Sequence, residues 1–206
     1  MHGAETISPW VARWAHLVPP GASVLDVACG AGRHAAYFGH LGYVVTGIDS
    51  SQAAIDSAQA QLPASARLVV ADIESNPWPL IDKQGLPEQF DAVVVTNYLW
   101  RDLVPTLLAS LAPGGVLIYE TFTHGNGSVG KPSRPDFLLR SGELLQMCSG
   151  LRVVAFEDGF ISAPDRFVQR IVAVRETFIP LPGSSAHEKS ANPASIAPPR
   201  YPLAAA

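Results

Sequence analysis

The stretch Val24-Leu25-Asp26-Val27-Ala28-Cys29-Gly30-Ala31-Gly32-Arg33 decides how this chain folds. An apolar run ends in an acid, and a loop of small residues follows at once. A second apolar run, Tyr43-Val44-Val45-Thr46-Gly47-Ile48, ends in Asp49. Short runs rich in Val, Leu and Ile read as strands buried on both faces. Two carboxylates at the ends of adjacent strands, around a loop with little side-chain bulk, suit a nucleoside cofactor. The bare loop lets backbone approach the ligand, and Asp49 is placed to accept from ribose hydroxyls.

Outward from this stretch the chain alternates strand and helix. Strands are expected at about 23–28, 43–48, 67–71, 91–95 and 115–120, with helices over 33–40, 51–61 and 102–111. The helix ending near Leu111 is stopped by Ala112-Pro113-Gly114-Gly115. Repeated βα units imply a parallel sheet with helices on both faces. The rhythm then changes. Residues 151–156 and 167–174 are both strand-like, and the linker between them holds Gly159 and Pro164. It is too short for a helical crossover, so these two strands are expected to pair antiparallel.

The flanks differ from this body. Ser8-Pro9 is a helix start, and Trp10, Trp14, Leu17 and Val18 follow at helical spacing until Pro19-Pro20-Gly21. The helix over 8–18 either packs on the sheet or closes as a lid over the ligand. Residues 1–175 form one domain on this reading. Residues 176–206 carry Pro180, Pro182, Pro193, Pro198, Pro199 and Pro202 and read as an extended or disordered tail.

Composition narrows the function. The chain has 206 residues, 48% of them hydrophobic, and a formal net charge of -4. With only 14 Lys plus Arg and no basic cluster, a nucleic-acid partner is not expected. Cys29 and Cys148 form neither a metal-ligand pair nor a disulfide framework, so no metal is expected and a reducing cytoplasm fits best. No signal-like leader or membrane-length apolar run is evident.

Two nucleoside cofactors compete for the loop. Gly30-Ala31-Gly32-Arg33-His34-Ala35 matches the G-x-G-x-x-G/A dinucleotide pattern. Asp26, four residues before Gly30, argues the other way. It would repel a pyrophosphate at the following helix start. S-adenosylmethionine has no phosphate and carries a sulfonium and an ammonium, so a nearby acid favours it. Asp72-Ile73 closes the third strand, where the carboxylate suits the adenine amino group and Ile73 suits the ring. Asp72 is also a candidate turn cap. Thr96-Asn97-Tyr98, after the fourth strand, offers carbonyls to the methionine ammonium.

These motifs resemble the class I S-adenosylmethionine-dependent methyltransferases. Asp26-Val27-Ala28-Cys29-Gly30-Ala31-Gly32 resembles that family's first motif, Asp49 its second-strand acid and Asp72-Ile73 its adenine contact. Phe90-Asp91-Ala92-Val93-Val94 is similar to the fourth-strand motif, and Leu111-Ala112-Pro113-Gly114-Gly115 to the turn before strand five. Tyr119-Glu120-Thr121-Phe122 and Pro135-Asp136-Phe137-Leu138-Leu139 resemble the bacterial tellurite-resistance-like branch. The resemblance covers about residues 20–175. It implies a Rossmann-like α/β fold: seven strands, mostly parallel, the last antiparallel. The cofactor set is then Asp26, Ala28, Gly30, Gly32, Asp49, Ser50, Asp72, Ile73 and Asn97.

Methyl transfer from a sulfonium leaves a neutral thioether, so positioning supplies most of the acceleration and no obligatory base is required. Acceptor-side residues are expected after strands four and five, among Asn97, Tyr98, Trp100, Arg101, Glu120, Phe122 and His124. His124, in a polar glycine-rich loop, is the candidate base or a solvated histidine. Arg101 suits an anionic acceptor or a surface pair. Tyr98 completes the candidate catalytic set. The expected function is methyl transfer to a small molecule. A nicotinamide-dependent oxidoreductase and a cofactor-binding protein without turnover are the rivals.

Overall fold

The computed structural model describes residues 6–176 and 199–203. Seven strands form one sheet: β1 (Ser23–Val27), β2 (Val44–Asp49), β3 (Arg67–Val70), β4 (Phe90–Thr96), β5 (Leu111–Phe122), β6 (Arg152–Ile161) and β7 (Arg166–Val174). Their order across the sheet is β3-β2-β1-β4-β5-β7-β6. The pairs among β1 to β5 are parallel. β7 runs antiparallel to both β5 and β6, which is the expected terminal hairpin.

Strand alternation divides the core between two faces. Val24, Val94, Ile118 and Val172 point to one side, and Leu25, Val93, Leu117 and Ala173 to the other. Both faces are covered, which is why the central strands carry continuous apolar runs. Three helices, α1 (Pro9–Trp14), α2 (Arg33–His40) and α3 (Gln52–Gln59), contribute to the first face. The helices α4 (Val104–Ala109) and α5 (Glu143–Met147) contribute to the second. The β3–β4 link departs from the strand–helix rhythm. Its turns hold no helix, and Leu80 and half-buried Trp78 pack on the second face instead. β5 also begins earlier than the glycine turn suggests. Leu111 pairs with Phe90 before the register shifts to Val116 opposite Ala92.

The N-terminal helix starts where Ser8 and Pro9 indicate. The Ser8 side chain caps α1 by accepting from the Trp10 N–H. Trp10 and Trp14 are each 2% exposed and belong to the first-face core. Arg170 lies over the Trp10 ring, and the Trp10 indole N–H reaches the Ile171 carbonyl at 3.4 Å. Most of the proline-rich tail lies outside the described residues. At 199–203, Tyr201 packs on the first-face core and donates to Glu176, while the Pro202 carbonyl meets His16 Nε2 at 2.9 Å.

Candidate active site

The carboxyl ends of β3, β2, β1 and β4 lie side by side, so four loops from distant parts of the sequence meet at one edge. The first turns sharply. Ala28, Gly30 and Gly32 have φ values of 52°, 55° and 81°, a left-handed sequence that L side chains rarely adopt. The two glycines serve different ends. A Cβ on Gly32 would stand 2.8 Å from Ala58 Cβ, so this glycine permits α2 to pack on α3. A Cβ on Gly30 would meet nothing within 4 Å. The space over Gly30 is open, as a ligand above the loop requires.

Two acids shape this loop. Asp49 accepts the Gly30 N–H at 2.8 Å through Oδ2 and the Ser51 N–H at 2.9 Å through Oδ1. Its carboxylate is thereby fixed, and each oxygen keeps a lone pair for a ribose hydroxyl. Asp26 is buried at the end of β1, where Oδ2 accepts the Ala35 N–H at 3.0 Å. Burial pushes its pKa up to about 7, against the pull of the Ala35 hydrogen bond and the Arg33 charge. A cation brought beside this acid would restore its charge.

The other cofactor candidates occupy the same edge. Asp72 is exposed, and its Oδ1 accepts from Glu74 N and Ser75 N in a turn-capping geometry; the Ser75 side chain first, then these backbone N–H groups, hold its pKa below the usual range. Its neighbour Ile73 is half-buried against the second-face core. Ser50 is exposed next to Asp49. Asn97 has φ 55° and donates its N–H to the Glu120 carbonyl at 2.9 Å, a conformation that turns the chain at the end of β4. Open space over Gly30, an oriented acid for a ribose and a buried acid for a cation fit a phosphate-free adenosine derivative.

The three catalytic candidates separate. Tyr98 stays by the edge where Asp49 and Asp72 lie, with its carbonyl accepting from the Tyr119 hydroxyl at 3.0 Å. Burial, with the charges of Glu74, Asp72 and Asp49, raises its phenol pKa. Arg101 and His124 instead share a cavity of about 600 Å³ beyond β5, which Tyr98 does not line. Arg101 is a strut. Its Nε and Nη2 grip the Glu143 carboxylate at 2.7 and 3.0 Å, and Nη1 and Nη2 reach the Asp136 and Leu138 carbonyls at 2.7 and 2.9 Å. Burial alone would raise the Glu143 pKa, but the hydrogen bonds from Arg101 and the Arg140 N–H bring it below the ordinary value. His124 is exposed, held through its backbone N–H on the Leu139 carbonyl at 2.8 Å.

Sequence reasoning named Glu120 only as an acceptor-side candidate and missed the polar row it joins on the first face, buried at Thr96 and Glu120 and open to solvent at Glu157. Thr96, Glu120, Arg170 and Glu157 stand in register across β4, β5, β7 and β6. His34 Nδ1 meets Thr96 Oγ1 at 3.3 Å, and His34 Nε2 accepts the Ser8 N–H at 3.2 Å. Ser8 Oγ donates to Glu120 Oε1 at 3.0 Å, and Arg170 is ion-paired to Glu120 and Glu157 at 3.4 and 3.3 Å. The row ties the start of α1 to the second residue of α2. Arg140, on the cavity wall, was missed as well. No local pattern links these positions; only register and loop packing bring them together.

Comparisons with known proteins agree with this geometry. Residues 24–115 match the methyltransferase domain family. Over 101 residues the chain is 37% identical to trans-aconitate 2-methyltransferase of Delftia acidovorans, a match covering 47% of this chain and 37% of that protein. The chain spans only 37–43% of the length of the curated relatives it matches. TehB from Haemophilus influenzae superposes with a TM-score of 0.66 at 20% identity, over 85% of this chain and 64% of that one. A TehB-like S-adenosylmethionine-dependent methyltransferase from Corynebacterium glutamicum gives 0.59 at 22% identity, over 83% and 89%. At these identities the structures speak for the fold alone. Domain match, loop chemistry and sheet order together show a methyltransferase domain over residues 24–115 on a Rossmann-like sheet, similar to the class I methyltransferases that use S-adenosylmethionine.

Proposed function

We propose that the protein transfers a methyl group from S-adenosylmethionine to a small-molecule acceptor. The observation that carries this reading is the Asp26–Gly30–Asp49 arrangement: an open bare turn flanked by a buried acid and an oriented acid. A diphosphate would be repelled there, which disfavours a nicotinamide cofactor.

The bound cofactor supplies an electrophilic methyl whose departure leaves a neutral thioether. The protein's part is positioning. Asp49 holds the ribose, Ser50 lies beside it, and Asp72 with Ile73 frames the adenine. Ala28, Gly30 and Gly32 keep the turn bare, and Asp26 with the Asn97 turn sets the charge around the methionine end. Tyr98 borders the reacting face. His124 and Arg101 belong to the cavity on the acceptor side, the one as a polar wall group and the other as its brace. The chain's net charge of -4 and lack of a basic stripe favour a small acceptor over a nucleic acid.

Calorimetry with S-adenosylhomocysteine tests the cofactor assignment, and absence of both heat and a thermal shift would end it. A homocysteine-release assay across thiols, carboxylic acids, phenols and amines tests turnover. Cofactor binding with no release for any acceptor would favour the non-catalytic reading.

A further inference from the structure

Resting on the methyl-transfer reading, we propose that the cavity beyond β5 takes a small carboxylate as methyl acceptor and that Arg140 reads its charge. The argument begins with the charges on the cavity wall. All four Arg101 bonds described above are internal, and they close the wall rather than face a ligand. Asp136 is paired with Arg134 at 2.9 Å. Both Glu143 oxygens are taken, Oε1 by Arg101 and Oε2 by Arg101 and the Arg140 N–H.

Arg140 is different. Its N–H is held by Glu143 at 2.7 Å and its carbonyl accepts from the buried Gln169 amide, so its main chain is fixed at both ends. Its guanidinium makes no hydrogen bond or ion pair with any described residue. Its charge helps keep Glu143 ionised, but both Glu143 oxygens are already hydrogen-bonded, so this exposed cation on a pinned backbone at the cavity wall is left to attract an anion. A guanidinium offers parallel N–H donors that fit the two oxygens of a carboxylate. Leu138, Leu139 and Pro135 supply an apolar wall for the carbon skeleton.

The acceptor's protonation state points the same way. The His124 ring makes no hydrogen bond with any described residue, so nothing orients it as a base. A carboxylate needs none, because it is ionised at neutral pH. Its oxygen lone pair forms the new C–O bond while the C–S electron pair returns to sulfur. An anion and a sulfonium become a neutral methyl ester and a neutral thioether, with no proton transferred.

The test uses the full chain saturated with S-adenosylhomocysteine and ligand-observed NMR with acetate, succinate, citrate and benzoate, each beside its uncharged amide. At least one carboxylate is expected to bind where its amide does not. Arg140→Met should weaken that binding at least tenfold, Arg140→Lys should restore part of it, and S-adenosylhomocysteine affinity should stay unchanged in both. With S-adenosylmethionine the same carboxylate should yield its methyl ester. No binding by any of the four, equal binding of acid and amide, or undiminished binding by Arg140→Met would overturn the inference while leaving the cofactor reading intact. Failure of wild-type protein to bind S-adenosylhomocysteine would overturn both.

Discussion

Gly30 donates its backbone N–H to Asp49 Oδ2 at 2.8 Å, so one carboxylate shapes the bare turn and faces the space above it. Asp49→Ala should therefore weaken S-adenosylhomocysteine binding by roughly 1–3 kcal/mol, the scale of a hydrogen bond to a charged group. Asp49→Asn, which keeps one oxygen acceptor, should lose less. Calorimetry decides, and an unchanged Kd in the alanine variant would remove Asp49 from the ribose site.

Asp26 makes binding and stability respond to pH in opposite senses. Its folded pKa is raised from 3.8 to about 7, chiefly by burial. Without ligand, the unfolded chain loses this proton first, so this group's contribution to stability falls as pH rises from about 4 to 7. A cationic cofactor prefers the ionised acid, so its affinity should rise over pH 5.5–7.5, by up to about tenfold per unit below the pKa. Asp26→Asn should flatten both profiles, as measured by calorimetry and by urea unfolding of the free protein.

His34 acts with the opposite sign. Burial, helped by the Arg33 charge, lowers its pKa from 6.5 to about 3. The folded state then binds fewer protons than the unfolded state between these values. Its contribution to stability is present above pH 6.5 and is lost as pH falls towards 3. Protonating the ring would also cost it the Ser8 N–H bond. His34→Gln should make stability fall less steeply between pH 6.5 and 4 in urea titrations. An unaltered slope would mean that the ring carries no such linkage.

The two loop glycines should fail differently. Gly32→Ala places a methyl 2.8 Å from Ala58 Cβ at a φ of 81°, and is expected to destabilise the fold by about 1–3 kcal/mol. Gly30→Ala meets no protein atom within 4 Å, so its stability loss should be the smaller and its loss of S-adenosylhomocysteine affinity the larger. Melting curves and calorimetry on the pair separate packing from ligand approach. Equal behaviour of the two variants would contradict this division.

Much of the sheet was legible because its information is local. An apolar run such as 91–95 announces a buried strand, Ser8-Pro9 a helix start, and the short linker at 157–166 a hairpin. Asp26, Gly30, Gly32 and Asp49 were legible for the same reason, since a strand end and its loop are contiguous. The helix-free link between β3 and β4 was less visible: Trp78 and Leu80 cover the sheet there without any helical period to read. The bracing role of Arg101 turned on Glu143, 42 residues away, and the His34 row on cross-strand register. Side chains that meet only through tertiary packing leave no trace in spacing.

The sheet order has a consequence for synthesis. β7, the last of the seven strands to leave the ribosome, is inserted between β5 and β6 rather than added at a rim. Until residues 166–174 emerge, a nascent chain has no lateral neighbour for β6 and leaves one side of β5 bare. Completion of the barrier between the two cores is therefore a late, single event, and a stalled translation product would expose a β5 edge ready to pair with another chain.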